Sequence, residues 1–268
     1  TYGSILNPVL PGSRSKSGDA GNLAGGGGAV ILNVSGSVVL DGTATSTSYR
    51  HANTGGSGGA INITCASISG SGIIDVGGTK SSYRGRDGGG GRVAVRLTEN
   101  KSTFEDFGLA KIITGRTSSP SGWSVNQFAS PGTIYLQAGN QAEGFGTVFI
   151  CNSDGNLSLS PTFFPSIRAD GLSDDFANAS LSVEANAKVK IAADVKIKNL
   201  VIDDSSVMDL AGFRVTAASA VVAGIKLAGG EYSEADLAII NPGHFADSSA
   251  TSTGLLKITG SATMIVIR

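Results

Sequence analysis

Residues 55–63 read Gly-Gly-Ser-Gly-Gly-Ala-Ile-Asn-Ile, a glycine cluster that runs straight into alternating β-formers. The same arrangement occurs upstream, where Gly25-Gly26-Gly27-Gly28 precedes Ala29-Val30-Ile31-Leu32, and downstream, where Gly88 to Gly91 precede Arg92-Val93-Ala94-Val95. The last glycines of the clusters, Gly28, Gly59 and Gly91, are spaced by 31 and 32 residues. Self-similarity at such a period marks a repeat architecture, in which one unit cannot bury its apolar face alone and stacked neighbours complete the core. Short β-branched runs bounded by Gly and Ser, without a helical period, exclude helical repeats and predict stacked strands.

Within each period the order also recurs: a strand, a Ser/Gly turn, a second strand ending near Asp-x-Gly, then a polar tract. Val34 to Thr43 and Ser69 to Thr79 match in this way, which places Asp41 and Asp75 at similar positions and predicts that they stack as a ladder. A weaker copy runs to Ile112-Ile113-Thr114-Gly115, and further glycine-led strands begin at Thr133 and Thr147. The longer step from Gly91 to Gly132 implies an inserted loop carrying Trp123. Beyond Asn156 the glycine clusters stop. In Lys188-Val189-Lys190-Ile191 and Val195-Lys196-Ile197-Lys198 apolar and basic residues alternate with the period of a half-buried strand, whose lysines face solvent and guard an edge. Ser233-Glu234-Ala235-Asp236-Leu237 carries a helix N-cap and an acidic first turn, so a short helix is expected there. The predicted fold class is all-β, a right-handed parallel β-helix (β-solenoid). Residues 1–155 form its Gly-rich part, and 156–268 a more alternating continuation or sandwich-like unit.

Composition narrows the function. Gly is 39 of 268 residues against 7 Pro, which excludes a collagen repeat and assigns the glycines to turns and corners. Twenty basic and 21 acidic residues give a net charge of −1, which offers no polycation for nucleic acid or anionic lipid. No apolar run approaches the ~20 residues that span a bilayer as a helix, so neither nucleic acid nor membrane insertion is expected.

The search for chemistry finds little. Two cysteines, Cys65 and Cys151, each close an apolar segment. A disulfide between them would constrain a long loop by about 4 kcal/mol in an oxidising compartment; two buried thiols are the other reading, and both stay open. His51 and His244 lie far apart in polar or Gly/Pro-flanked segments and read as surface residues. Residues 55–59 match a nucleophile elbow formally, but a strand follows where that motif needs a helix, so Ser57 reads as a turn residue. Zinc spacing, EF-hand, phosphate loop and dinucleotide fingerprint are absent from the sequence. Asp170, Asp174 and Asp175, or Asp203 and Asp204, could offer oxygens to Ca²⁺, against the plainer reading of solvated loops. No catalytic residue and no cofactor are assigned.

Tyr2-Gly3-Ser4 followed by the three glycine-led segments resembles the Gly-rich β-helical repeats of bacterial secreted, autotransporter-like surface proteins. The tail, from Leu200-Val201-Ile202 through Leu210 to Val215 and Gly229 to Leu237, is similar to the closing unit of passenger-associated β-strand repeats. The resemblance implies export, a β-solenoid passenger and a place outside the cell or on its surface; it carries no catalytic residue across. A membrane β-barrel of that family has no counterpart in this sequence, so a released or assembled product is expected.

The leading functional expectation is a non-catalytic structural subunit that assembles head-to-tail with copies of itself into a surface or extracellular filament. Two terminal segments rich in apolar β-formers are the candidate assembly strands: Tyr2, Ile5 and Leu6 at the start, and Leu255, Leu256, Ile258, Met264, Ile265, Val266 and Ile267 at the finish. A glycan-binding adhesin using Tyr49, Tyr83 and Trp123 is the alternative, and a polysaccharide-degrading β-helix enzyme comes third.

Overall fold

A computed structural model describes residues 3–16, 23–49, 55–79, 87–115, 129–152, 160–166, 173–245 and 253–260. The described residues are all-β, dominated by parallel sheets, with one short α-helix among them at Glu234–Ile240. Its backbone is an eleven-stranded sheet in which ten strands follow one another in a single line.

The glycine-led segments lie side by side in that sheet. Ala29–Asn33, Ala60–Cys65, Arg92–Leu97 and Thr133–Gln137 pair in parallel, with Ala29 opposite Ala60, Ala60 opposite Arg92, and Arg92 opposite Thr133. The residues between them build two further parallel sheets. Val38–Val39 pairs with Ile68–Ser69, and Thr43–Thr45, Ile73–Asp75 and Ile112–Ile113 form a three-stranded ladder. The Trp123 insertion lies outside the described residues, yet the ladder resumes beyond it in register at Thr133.

The register explains the glycines. A Cβ on Gly59 would collide with the carbonyl oxygen of Gly28, one on Gly91 with that of Gly59, and one on Gly132 with that of Gly91. Each unit's corner therefore rests on the backbone of the one before, and only glycine leaves room. The register also corrects one expectation. Thr45, not Asp41, lies opposite Asp75, because the short sheet pairs Thr43 with Ile73. Asp41 instead accepts hydrogen bonds from the Ser71 backbone N–H (3.0 Å) and hydroxyl (3.2 Å), while Asp75 accepts from the Gly77 N–H at 2.9 Å. No Asp41–Asp75 ladder forms.

The chain then turns back. Thr147–Cys151 pairs antiparallel with Thr133–Gln137, and the strands that follow, Ser180–Glu184, Val195–Ile202 and Arg214–Val222, pair in parallel with the new direction. Their repeat is shorter, Leu181 lying opposite Leu200 and Leu200 opposite Ala220, and a single companion sheet of Thr162–Phe164, Lys188–Ile191 and Val207–Asp209 closes it. The reversal also exchanges faces. Ile61, Ile63, Val93, Val95, Ile134 and Leu136 point into one apolar core with Ile68, Ile74 and Ile112. Tyr135, Val148 and Ile150 point the other way, into a second core with Phe164, Leu181, Val189, Leu200 and Met208. One sheet is thus the shared wall of two interiors. In the second, Val189 and Ile191 are buried while Lys188 and Lys190 reach outward, as their alternation predicts.

Gly59→Ala should cost about 3 kcal/mol in urea or thermal unfolding, as overpacking against backbone does. Gly28→Ala, with nothing within 4 Å of the added carbon, should change stability by no more than about 0.5 kcal/mol.

Candidate functional site

A stack of strands has two ends, and each end exposes unpaired backbone and the cross-section of a core. The residues that meet this demand are the structurally distinctive ones in the chain.

The N-terminal segment is not a free strand. Residues 3–12 run along the wall formed by the glycine-led strands. Asp174 accepts from the Ser4 hydroxyl (2.8 Å) and the backbone N–H groups of Ile5 (2.7 Å) and Leu6 (3.0 Å), and Ser166 donates to the Gly3 carbonyl at 2.7 Å. Further along, Arg96 donates to the Leu6 carbonyl and to Asn62 Oδ1, Asn62 donates to Asn7 Oδ1 at 2.6 Å, and Arg92 donates to the Leu10 carbonyl at 3.0 Å. Residues 62, 92 and 96 come from successive strands, so the strap is held by a row of polar side chains. It carries Ile5, fully buried, into the second core. A cleft of about 670 Å³ lies beside it, lined by Asn7, Arg96, Gln137, Glu143 and Asn178 among others. The polar groups there serve the fold: Gln137 Oε1 accepts from the Tyr135 hydroxyl at 2.8 Å and the Gly144 N–H at 3.2 Å.

The far end closes with a charged strand. Leu255–Ile258 is paired on both edges, in parallel with Arg214–Val222 and antiparallel with Gly230–Ser233. Its Leu255, Leu256 and Ile258 are therefore interior to a sheet and offer no free edge. The outermost strand carries Glu231, which bridges Arg214 (2.9 Å) and Lys257 (3.0 Å); hydrogen bonds from Lys257 and Arg214 hold its carboxyl below the usual range. The helix then starts as expected, with Ser233 and Asp236 forming a reciprocal capping box. Its Leu237 is buried in the second core. The Val207–Asp209 edge is met by His244 and Phe245: the Met208 N–H donates to the His244 carbonyl at 2.9 Å, and a bridge joins Met208 to Phe245.

Among the described residues the first unit has no such cover. Ala29–Asn33, Val38–Val39 and Thr43–Thr45 each pair on one side only among the described residues. Leu32 is 38% exposed, whereas Ile63 and Val95 in the same column are 1% and 0%. Ile31 is 50% exposed and Val39 66%. Gly28 and Gly42 occupy corner positions whose counterparts, Gly59 and Gly72, are forced to be glycine by the unit beneath; at 28 and 42 themselves nothing lies within 4 Å. Among residues 23–49 the single charged side chain is Asp41, already engaged by Ser71. Sequence reading missed this end because Ala29 to Leu32 looks the same as an interior strand; the strap row was missed because Arg92, Arg96 and Asn62 meet only through the register.

The remaining candidates are dispersed. Cys65 and Cys151 are both buried free thiols in the first core. Burial pushes both thiols up, and burial with the nearby Glu184 carboxylate pushes Cys151 up to about 12. Asp175 Oδ1 accepts from the Ala177 N–H (2.9 Å) and Asp203 from the Ala185 (2.6 Å) and Ser205 (3.0 Å) N–H groups. Among the described residues no three His, Cys, Asp or Glu side chains converge as a metal site would require. Ser57 lies in backbone contact, its N–H donating to the Ser13 carbonyl at 3.0 Å. His244 Nδ1 is 3.1 Å from the Ser206 carbonyl oxygen, and Tyr49 is exposed. Tyr2, His51, Tyr83, Trp123, Asp170, Met264, Ile265, Val266 and Ile267 lie outside the described residues. No helix among the described residues is long and apolar enough to cross a membrane. No family model, curated protein or solved structure matches this chain.

Two outcomes follow. Asp174→Ala should cost about 2–3 kcal/mol and speed hydrogen exchange at the Ile5 and Leu6 amides while leaving the Ile61 and Val93 amides protected. Cys151 should resist iodoacetamide at pH 8 in the native state, where a thiol at about 12 is ionised in roughly one molecule in ten thousand. It should react on unfolding, as its pKa returns toward the ordinary value and mass spectrometry detects the adduct.

Proposed function

We propose that this protein is a non-catalytic, right-handed parallel β-solenoid that serves as a structural module outside the cell or on its surface and joins other subunits through the end of its stack. The observation that carries the reading is the in-register stacking of Ala29–Asn33, Ala60–Cys65, Arg92–Leu97 and Thr133–Gln137, with companion strands from the same units stacked beside them. Parallel strands joined by crossovers within one sheet are right-handed in nearly all proteins, which supports that hand here. Export rests on the resemblance to secreted β-helical passengers.

A head-to-tail filament would need receptive edges at both ends. Among the described residues the outermost far-end strand, Gly230–Ser233, and the 29–45 strands each pair on one side only, but the former carries the Glu231 ion pairs while the latter are neutral apart from Asp41, so the geometry favours joining through the first unit. A glycan-binding reading keeps one observation in its favour, Tyr49 at 71% exposure beside that unit.

Small-angle scattering of the purified chain should give an elongated particle, with ten strands extending about 43 Å along the stack at ~4.8 Å per strand. Incubation with neutral and acidic polysaccharides should release no reducing ends. A compact, near-spherical envelope would overturn the solenoid; turnover lost on replacing a single carboxylate would overturn the non-catalytic reading. Saturable binding of the monomer to one glycan, abolished by Tyr49→Ala, would favour the adhesin.

A further inference from the structure

We propose that the exposed first unit is a homodimer interface, in which Ala29–Asn33 of one copy pairs antiparallel with Ala29–Asn33 of a second across a two-fold axis near Ile31. The inference rests on the solenoid reading and adds the partner and its geometry.

The surface asks for a particular chemistry. Three open strand edges present backbone N–H and C=O groups, so the occupant must supply strands. Leu32, Val34 and Val39 are exposed large apolar residues around a core cross-section that Val30, Val38 and Leu40 only partly close, so the occupant must also be apolar. Gly28 and Gly42 leave open the space that, one unit up, is filled by backbone from the adjoining unit. The occupant therefore approaches as closely as one unit of this chain approaches the next. Soluble proteins guard such edges with Lys, Glu, Pro or a covering segment. Residues 29–45 contain none of those three residue types, and among the described residues their strands have no second neighbour.

The protein's own architecture indicates which occupant fits. The N-terminal segment is spent elsewhere: residues 3–10 lie on the wall, tied to Ser166, Asp174, Arg96 and Arg92. The far end of a second copy presents the Gly230–Ser233 strand, which among the described residues also pairs on one side only but carries Glu231 with its ion pairs beside the 234–240 helix, a charged surface unlike the neutral first unit. What remains is another first unit. An edge strand of neutral residues is complementary to its own copy when reversed, and an isologous contact of this kind closes at two subunits. The interface continues the unit-on-unit contact that the chain already makes between 29–33, 60–65 and 92–97.

The test uses the full chain in sedimentation velocity and equilibrium over a range of concentrations. A monomer–dimer equilibrium with no larger species is expected. Gly28→Val, which has free space in the monomer, and Val39→Lys, at an exposed site, should each weaken dimerisation by about tenfold or more while leaving the monomer's thermal midpoint unchanged. Ile239→Lys, 81% exposed on the distant helix, should leave dimerisation unaltered. Mild oxidation of Ile31→Cys should give a covalent dimer through the two introduced thiols, the native cysteines being buried. A strictly monomeric chain, a dimer indifferent to both first-unit variants, open-ended polymers, or failure of Ile31→Cys to cross-link would each overturn the interface. An elongated monomer in scattering would leave the solenoid standing while the dimer falls.

Discussion

The structure depends on how closely the backbone of one unit can sit on the backbone of the next. At the corner ahead of each long strand the approach is so tight that a β-carbon would enter the carbonyl oxygen of the preceding unit, at Gly59, Gly91 and Gly132 in turn. That contact sets the register, and the register decides everything else. It puts Ile61, Ile63, Val93 and Val95 in columns facing one core, and aligns Asn62, Arg92 and Arg96 on the opposite face. Because side chains alternate with a period of two, a slip of one residue would send the apolar column outward and the polar row inward.

The antiparallel seam between Thr133–Gln137 and Thr147–Cys151 turns one sheet into the wall of two cores. Tyr135 and Val148 face one interior, Ile134 and Phe149 the other. Strands at the seam are accordingly apolar on both faces, and Thr133–Gln137 is buried along its whole length. The second interior is closed by a narrower unit with one companion sheet rather than two, which is why its repeat shortens from about thirty residues to about twenty and why it dispenses with glycine clusters.

Several features were legible because they are imposed locally. The glycine spacing reports the tight approach, the Val/Lys alternation at 188–191 reports a half-buried strand, and Ser233 with Asp236 reports a helix start. Features that depend on pairing were not. Leu255 to Ile258 reads as an apolar β-former whether its edges are open or filled, and Ile5 gives no sign that Asp174, 169 residues away, holds its N–H. The Asp41–Asp75 alignment failed because the first unit's turn offsets its short sheet by 30 residues, while the Asp-x-Gly likeness suggested 34. Asp174 entered as one carboxylate of a calcium set; what distinguishes it, three donors from a strap, exists only in three dimensions.

A core built by stacking is finished only when its last layer is covered, and the protein uses a different device at each place. The strap brings Ile5 to the second core, and the 234–240 helix brings Leu237 to that core's other end. Phe107, together with Cys151 from the seam, is buried in the first core. Each device spends polar side chains on fixing a segment that contributes one or two apolar residues: Asp174 for the strap, the Ser233–Asp236 box for the helix. At the first unit neither part is present among the described residues. Its apolar columns continue to the surface with the same residue types as inside, and its corner glycines keep the room that stacking uses. Leu32, Ile31 and Val39 there thus show the composition of an interior layer at the surface.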